Sequence, residues 1–436
     1  MTDPTPETDP ARVPTDPPPA TALPRLERRA FLRAVGAAGA LSALPLSGAR
    51  ADAHAAGAPA APAPVASESR DAWRDFVALL GEVGERYAGP EYGVASAGQA
   101  ADTHRVLLHW LSAGLDFYTE QSLAHPVFTR IVSPTRKFLG DNPDAVYFTT
   151  SVDAGLTYRI RGNTAGAVYT SFTVEDGSHD GSYARRVSAA IHDGEFEVAP
   201  DGSYEVVASA TPQPRNWLRL EGSGTITTRH YFEEPTSVAA DLTKQIPLSI
   251  EALGEHPAPA TPSDASVAAA IRRVARYVRG QTLDQPPRDP SKMPSWVSSV
   301  PNQFNAPEKP GDLAFSAVDN AYTMAPYQLG PDEALVIEGR FPKCRMSNVV
   351  LWTPTLQSYD YAHRTISRNR KQTTLGADGR FRMVVAHRDP GVPNWLDTEG
   401  RPFGMVYWRF LLPEGGIETP RGRVVAMRDV AKAVRA

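Results

Sequence analysis

The chain has 436 residues, with 45 lysines and arginines against 49 aspartates and glutamates. This balance of charge excludes an electrostatic case for nucleic-acid binding, and the single cysteine, Cys344, excludes an internal disulfide framework. The 40 prolines and 33 glycines indicate many turns, and the length predicts two or three folded units.

Residues 1–53 are predicted to be an export signal. Arg28-Arg29 followed by Ala30-Phe31-Leu32 resembles the twin-arginine signal. The apolar stretch 34–46 is shorter than the ~20 residues that span a bilayer, and small residues before 53 suit a signal peptidase. An Ala/Pro linker follows at 54–66. We therefore expect a soluble protein that meets the twin-arginine translocase and signal peptidase, has no stable membrane anchor, and resides in the periplasm or outside the cell. The alternative is an ordinary amphipathic helix.

Helical periodicity occurs twice in the segment 67–135 and once in the linker 237–312, where Ser263 suits a helix N-cap. The third helix carries four arginines on its outer face, which we interpret as a solvated face rather than a membrane or polyanion contact. The apolar positions are Trp73, Phe76, Val77, Leu80, Val83 and Tyr87; Val106, Leu107, Trp110, Leu111, Leu115 and Tyr118; and Val267, Ile271, Val274 and Val278.

An internal repeat organises the rest of the chain. The phrase NWLRLEG at 216–222 returns as NWLDTEG at 394–400. Apolar residues alternate within each copy, as in strands, and Asp-Gly pairs mark hairpin turns. MVYWRFLL at 405–412 is apolar on both faces apart from Arg409, which favours a central strand.

These patterns predict a β-rich α+β fold. It comprises two repeated antiparallel β-sandwich, jelly-roll-like units at 136–236 and 313–436, the helical segment 67–135, and a helical and irregular linker at 237–312. We expect an approximate two-fold between the units, which pack through the helices.

Several phrases carry a resemblance to a known family: DNPDAVYFTTSVDAGLTYRIRGN, RNWLRLEG, AHRDPGVPNWLDTEG and YWRFLLPEG. Together they resemble the bacterial domain of unknown function family 1214. The resemblance covers most of the chain after the signal and is strongest over 367–415. It implies a β-sandwich-like fold and no established reaction.

The second copy adds charged residues to the repeated loop. Both copies keep Asn-Trp, where Asn394 should fix the loop and Trp395 should plug the sandwich. His387, Asp389 and Asp397 surround the loop in the second copy alone, together with Arg388. Imidazole beside carboxylates suits general acid–base catalysis or a metal site. The alternative is a surface loop with solvated ion pairs.

Nearby residues could add ligand contacts. Arg368 and Arg370 could form an anion-binding fork, or they could be an exposed basic strand end. Tyr359 and Tyr361, if exposed, could stack on sugar rings, although core packing is the alternative.

Two further patterns predict sites more weakly. Asp176, His179 and Asp180 form an acidic turn that a metal could occupy, but the EF-hand spacing is absent and a hairpin loop also explains it. Cys344 between Lys343 and Arg345 could be a reactive thiol, or a buried inert cysteine in a strand.

No motif indicates a cofactor, because the serine-hydrolase elbow, zinc-helix, P-loop and dinucleotide patterns are absent. The leading hypothesis is an exported protein that binds a glycan or small organic ligand near 387–400, through Arg370, Arg388, Asn394, Trp395, Tyr359 and Tyr361. One alternative is a hydrolase-type enzyme with His387 as acid/base and Asp389 or Asp397 orienting it. The other is a structural or interaction module whose sandwich faces form a homo-oligomer.

Overall fold

The computed structural model describes residues 65–287 and 289–435. The twin-arginine pattern, the predicted cleavage site and most of the Ala/Pro linker lie outside these residues. Within the described part, no helix has the length and apolarity needed to cross a bilayer. The helices there are α1 (Glu68–Arg86), α2 (Ala97–Tyr118), α3 (Asp264–Gln281) and α4 (Val430–Ala433).

The strands fall into two successive groups of the chain, separated by α3. The first group is β1 (Thr129–Arg130), β2 (Ala145–Val152), β3 (Tyr158–Asn163), β4 (Tyr169–Asp176), β5 (Val187–His192), β6 (Ser203–Ser209), β7 (Trp217–Arg219), β8 (Gly224–Tyr231) and β9 (Leu248–Ala252). The second is β10 (Asn320–Gln328), β11 (Glu333–Gly339), β12 (Met346–Trp352), β13 (Ser367–Asn369), β14 (Phe381–Ala386), β15 (Trp395–Asp397), β16 (Phe403–Leu411) and β17 (Arg421–Ala426).

Each group folds into a sandwich of two sheets, and the two sandwiches have the same strand order apart from β1, an extra edge strand of the first. The first has sheets β1-β2-β8-β4-β5 and β7-β6-β3-β9, and the second has β10-β16-β12-β13 and β15-β14-β11-β17. Pairing is antiparallel except between β6 and β7 and between β14 and β15, which are parallel in both copies. The predicted β-rich fold and the duplication are therefore confirmed, and β16 is the central strand expected from its sequence.

The first sandwich is longer than the sequence predicted. Strand β9, which lies in the predicted linker, pairs with β3, and β1 pairs with β2 ahead of the expected start at 136. Strand β9 alternates half-buried and exposed residues at a sheet edge. It therefore lacks the strong apolar pattern that marks central strands.

The predicted helices form. Ser263 caps α3 through a reciprocal capping box with Ser266. Trp110 of α2 and Tyr277 of α3 are buried in the core that the three long helices share. Trp73, predicted on an apolar face, is instead 58% exposed. Arginines on the basic face of α3 form ion pairs with acidic side chains of the protein, as Arg276 does with Asp180.

The two sandwiches contact each other directly, so the prediction that they pack through the helices is wrong. Asn348 Nδ2 donates to Asp144 Oδ2 at 2.8 Å. Arg370 forms two hydrogen bonds of 2.7 Å with Glu233. These buried contacts tie β12 and the segment after β13 to the ends of β2 and β8.

Candidate functional site

The loop 387–400 does not bring its imidazole to a carboxylate. His387 Nδ1 pairs with Thr398 Oγ1 at 2.6 Å. Arg364 donates to Asp397 Oδ2 at 2.8 Å, and Asp389 accepts from the backbone of its own turn at 2.8 Å. The orienting pair expected for general acid–base catalysis is therefore not formed among these residues. Arg388 is exposed and pairs with Asp332 at 2.6 Å.

The repeated Asn-Trp pair is structural. Asn394 has a φ of 63°, and its side chain bonds both the N–H and the carbonyl of Thr374. Trp395 Nε1 donates to the Ala386 carbonyl at 3.1 Å. Asn216 repeats the positive φ in the first copy, where the following indole bonds the end of β6. Trp395 packs on the outer face of its sheet beneath α4, so the prediction that it plugs the sandwich is wrong.

The other predicted ligand contacts face inward. Tyr359 is 1% exposed and shares a 2.7 Å hydrogen bond with Tyr327, so it is packed in the core and is not available to stack on a sugar ring. Tyr361 is also buried, with the ammonium of Lys137 4.3 Å from its ring centre. Arg370 is occupied by Glu233 and is unavailable as an anion fork.

The acidic turn after β4 is neutralised by arginines. Asp176 receives two hydrogen bonds from Arg185, and Asp180 pairs with Arg276. His179 contributes its carbonyl oxygen to Gln121 at 2.7 Å. Across the described residues, no three histidine, cysteine or acidic side chains are grouped as metal ligands.

Cys344 fits the inert alternative. Burial raises the pKa of its thiol to about 11, and this outweighs the nearby Arg370 guanidinium. Its sequence neighbours Lys343 and Arg345 do not lower that pKa, because they pair with Glu414 and Asp193 instead.

A cavity of about 250 Å³ lies between the two sandwiches, at a position that the sequence did not predict. Its opposite walls are the outer faces of the long sheets, including Arg229 from β8 and Tyr407 and Arg409 from β16. Alternate residues on the same strands, Ile226 and Trp408, point into the sandwich cores.

Aromatic side chains dominate the cavity wall. Tyr407 is the centre of this group, with ring centres 4.2 Å from Trp352, 5.2 Å from Tyr322 and 5.9 Å from Trp296. Burial raises the pKa of Tyr407 well above 10, so its hydroxyl is neutral. That hydroxyl has no hydrogen-bond partner in the described part of the chain. The wall also includes Tyr147, Tyr183, Tyr231 and Phe315.

Arg409 is the exceptional polar group of this wall. It is 4% exposed, and its guanidinium carbon lies 5.0 Å from the Trp352 ring centre and 4.7 Å from that of Tyr407. Nη2 donates to the Gly140 carbonyl at 2.6 Å, whereas Nη1 has no partner among the described residues. A buried cationic donor without a partner is costly, by about 1–3 kcal/mol or more.

The second arginine, Arg229, is satisfied by groups of the protein itself. It lies 3.7 Å from Glu175, donates to Thr173 at 2.6 Å and donates to the Phe315 carbonyl at 3.0 Å. These contacts hold the segment 313–317 over the cavity. Arg229 is therefore a structural residue of the wall.

One carboxylate also lines the cavity. Asp141 accepts hydrogen bonds from the backbone N–H, at 2.8 Å, and from the hydroxyl of Ser358. Burial raises its pKa, and Lys137 is the strongest opposing charge. Two arginines against one aspartate leave the charged lining with a net positive charge.

The backbone around the cavity is in sparsely populated conformations. Leu139, Phe315 and Leu356 have φ values of 52°, 62° and 58°. At Gly140, φ is 73° and an added Cβ would lie 2.7 Å from the Trp352 ring, so only glycine fits there. Strained backbone of this kind persists where the surrounding structure fixes it and is concentrated at functional sites.

One residue of this site, Arg409, could have been singled out from the sequence. Arg409 is the single charge in a strand that is otherwise apolar on both faces. Such a residue is either paired or functional. The aromatic wall gave no signal, because its members come from segments far apart in the chain.

The fold is similar to that of a solved structure. A crystal structure of an uncharacterised protein from Burkholderia cenocepacia is 29% identical, with a TM-score of 0.70, over 82% of this chain and 98% of that chain. A protein from Vibrio parahaemolyticus matches 74% of this chain and 98% of its own at 13% identity, with a TM-score of 0.44. No family model and no curated protein sequence matches the chain.

Proposed function

We propose that this protein binds a small organic carboxylate in the cavity between its two sandwiches. The observation that carries the proposal is the buried Arg409 guanidinium, whose Nη1 has no partner among the described residues and which lines the cavity. Planar guanidinium pairs well with carboxylate, and charge-assisted bonds of this kind are among the strong ones. The neutral Tyr407 hydroxyl beside it can donate a second bond.

The size and lining of the cavity narrow the ligand further. At ~30 Å³ for each water, 250 Å³ corresponds to roughly eight waters, which suits a ligand of about ten non-hydrogen atoms. The aromatic rings of the cavity wall favour a ligand with a flat apolar body. One unpaired arginine suits a monoanion better than a phosphate dianion, which would require more positive charge.

Calorimetric titration with benzoate and its uncharged analogue benzamide tests the proposal. We expect benzoate to bind the wild-type protein at least tenfold more tightly than benzamide. Arg409→Met, which keeps the aliphatic packing, should weaken benzoate binding by 2 kcal/mol or more, a factor of about thirty. Tyr407→Phe removes only a hydroxyl and should weaken benzoate binding by a smaller factor than Arg409→Met does.

Arg215→Met is the matched control, because Arg215 is exposed and pairs only with Glu197. It should leave benzoate binding unchanged. The proposal is wrong if wild-type protein does not bind benzoate, if benzamide binds equally well, or if a folded Arg409→Met variant retains full affinity.

Export by the twin-arginine route, to the periplasm or beyond, remains part of the proposal on sequence grounds, as does membership of domain of unknown function family 1214. Replacing Arg28 and Arg29 by lysines should leave the full-length precursor inside the cell, as cell fractionation would show. The contacts of His387 favour no hydrolase, so that alternative and a ligand site at 387–400 stay predictions.

A further inference from the structure

We infer that the bound carboxylate extends out of the cavity into a second subsite, which recognises an uncharged hydrogen-bonding group. This inference rests on the proposed function. A cleft of about 720 Å³ adjoins the cavity, since Leu139, Tyr183 and Leu356 line both. Two of these three residues, Leu139 and Leu356, have positive φ. Leu139, Tyr183 and Leu356 therefore mark the place where the two spaces meet.

Two buried side chains of this cleft each have a polar group without a hydrogen-bond partner among the described residues. Trp110 is 4% exposed, and its Nε1–H has no acceptor in the described part of the chain. Gln281 is also 4% exposed and lines the cleft, and its amide forms no hydrogen bond with the residues that the structure describes. Buried polar groups are nearly always hydrogen-bonded. A ligand could satisfy both side chains if it offered a hydrogen-bond acceptor to the Trp110 indole and a donor or an acceptor to the Gln281 amide.

The charged residues that the structure describes in the cleft favour an uncharged extension of the ligand over an anionic one. Asp102 receives a 3.0 Å hydrogen bond from Arg401, and Glu91 pairs with Arg86 at 3.3 Å. Both carboxylates are therefore neutralised, and the described lining of the cleft offers no cation. Its tyrosine, tryptophan and proline side chains suit an amide or a hydroxylated group. The ligand is then a carboxylate with a neutral amide- or hydroxyl-bearing extension.

Two isosteric probes test this inference: 4-acetamidobenzoate, which carries an amide, and 4-isobutylbenzoate, which replaces it with hydrocarbon. We expect wild-type protein to bind the acetamido probe about tenfold more tightly than the isobutyl probe. Gln281→Met should remove most of that preference and leave benzoate affinity unchanged. Trp110→Phe, which deletes the indole N–H, should act in the same direction.

Gln245→Met is the matched control, because Gln245 is exposed and lines neither space. If the two probes bind equally well while benzoate still binds, or if Gln281→Met preserves the preference, the second subsite is wrong and the proposed function stands. If benzoate fails to bind wild-type protein, both are wrong. Should Trp110→Phe not fold, the Gln281→Met comparison decides.

Discussion

The buried carboxylate of Asp144 should make stability depend on pH in an unusual direction. Asp144 is 1% exposed between the sandwiches and accepts from Asn348 Nδ2 at 2.8 Å and Asn369 Nδ2 at 3.1 Å. Burial raises its pKa to about 6, although both amides oppose the rise. The folded protein therefore holds a proton that the unfolded chain releases near pH 3.8.

The size of the effect follows from the two pKa values. The difference between 3.8 and about 6, at ~1.36 kcal/mol per pH unit, corresponds to about 3 kcal/mol. The stabilisation from protonated Asp144 is present below pH 3.8 and is lost as the pH rises through 6. This group alone should lower the free energy of unfolding by about 2 kcal/mol between pH 4 and 7.5, because part of the effect already occurs below pH 4.

Urea denaturation of the wild-type protein and Asp144→Asn at several pH values between 4 and 7.5 measures this contribution. The free energy of unfolding of the variant should rise by about 2 kcal/mol relative to that of the wild type across the range. The new amide can donate to Asn348 Oδ1, which has no partner among the described residues, if the Asn348 side chain rotates by 180°. That rotation breaks the bond from Asn348 Nδ2 to Asn142 Oδ1, a cost that does not change with pH and so leaves the pH dependence as the readout. Parallel curves for the two proteins would refute the reasoning.

Asp378→Asn is the control, because the pKa of Asp378 is shifted in the direction opposite to that of Asp144. Hydrogen bonds from Arg382 lower the pKa of Asp378 to about 2. Its contribution is present above pH 4 and is lost only as the pH falls towards 2. The difference between this variant and the wild type should therefore stay constant from pH 4.5 to 7.5.

Three further variants or treatments test separate contacts. Gly140→Ala should destabilise the fold by ~2 kcal/mol more than Gly93→Ala in urea denaturation, because both have positive φ but only the first Cβ meets a ring. Arg370→Met should lower the free energy of unfolding by ~2 kcal/mol, because it leaves Glu233 without its cation. This loss is smaller than the ~3–5 kcal/mol expected for a fully buried ion pair, because Arg370 is 29% exposed. Iodoacetamide should modify Cys344 at pH 8 about one hundredfold more slowly in native than in unfolded protein, because its pKa rises from 9.0 to about 11.

The architecture could be predicted from the sequence because the duplication repeats the same turn residues and strand patterns in both copies. The parallel pairing of the Asn-Trp segments recurs at Val207–Trp217 and Val384–Trp395. The asparagine turns, strand periodicity and capping serine are local effects that sequence spacing encodes. Edge strand β9 was missed because exposed edges need no apolar pattern.

The candidate site was less predictable because it arises from contact between distant segments. The loop around His387 was predicted to be the site because of its charged residues. Those charges are instead paired with neighbouring side chains, as Asp397 is with Arg364. The cavity wall instead joins residues near 140, 230, 315, 355 and 408. Which faces of the two sandwiches meet is not encoded in the period-two pattern, since both faces of strands such as β16 are buried.

The repeat explains why the arginine of the second copy has no inherited partner. The two copies repeat at a spacing of 178 residues, as the segments at 216–222 and 394–400 show. By that spacing Arg409 corresponds to Tyr231, and Arg229 corresponds to Tyr407. Arg229 lies 3.7 Å from the carboxylate of Glu175 in its own copy. Arg409 instead lies against the rings of Trp352 and Tyr407, which can attract a guanidinium but offer no carboxylate to its N–H groups. Arg409 Nη1 is left without an acceptor among the described residues, and a ligand carboxylate can supply one.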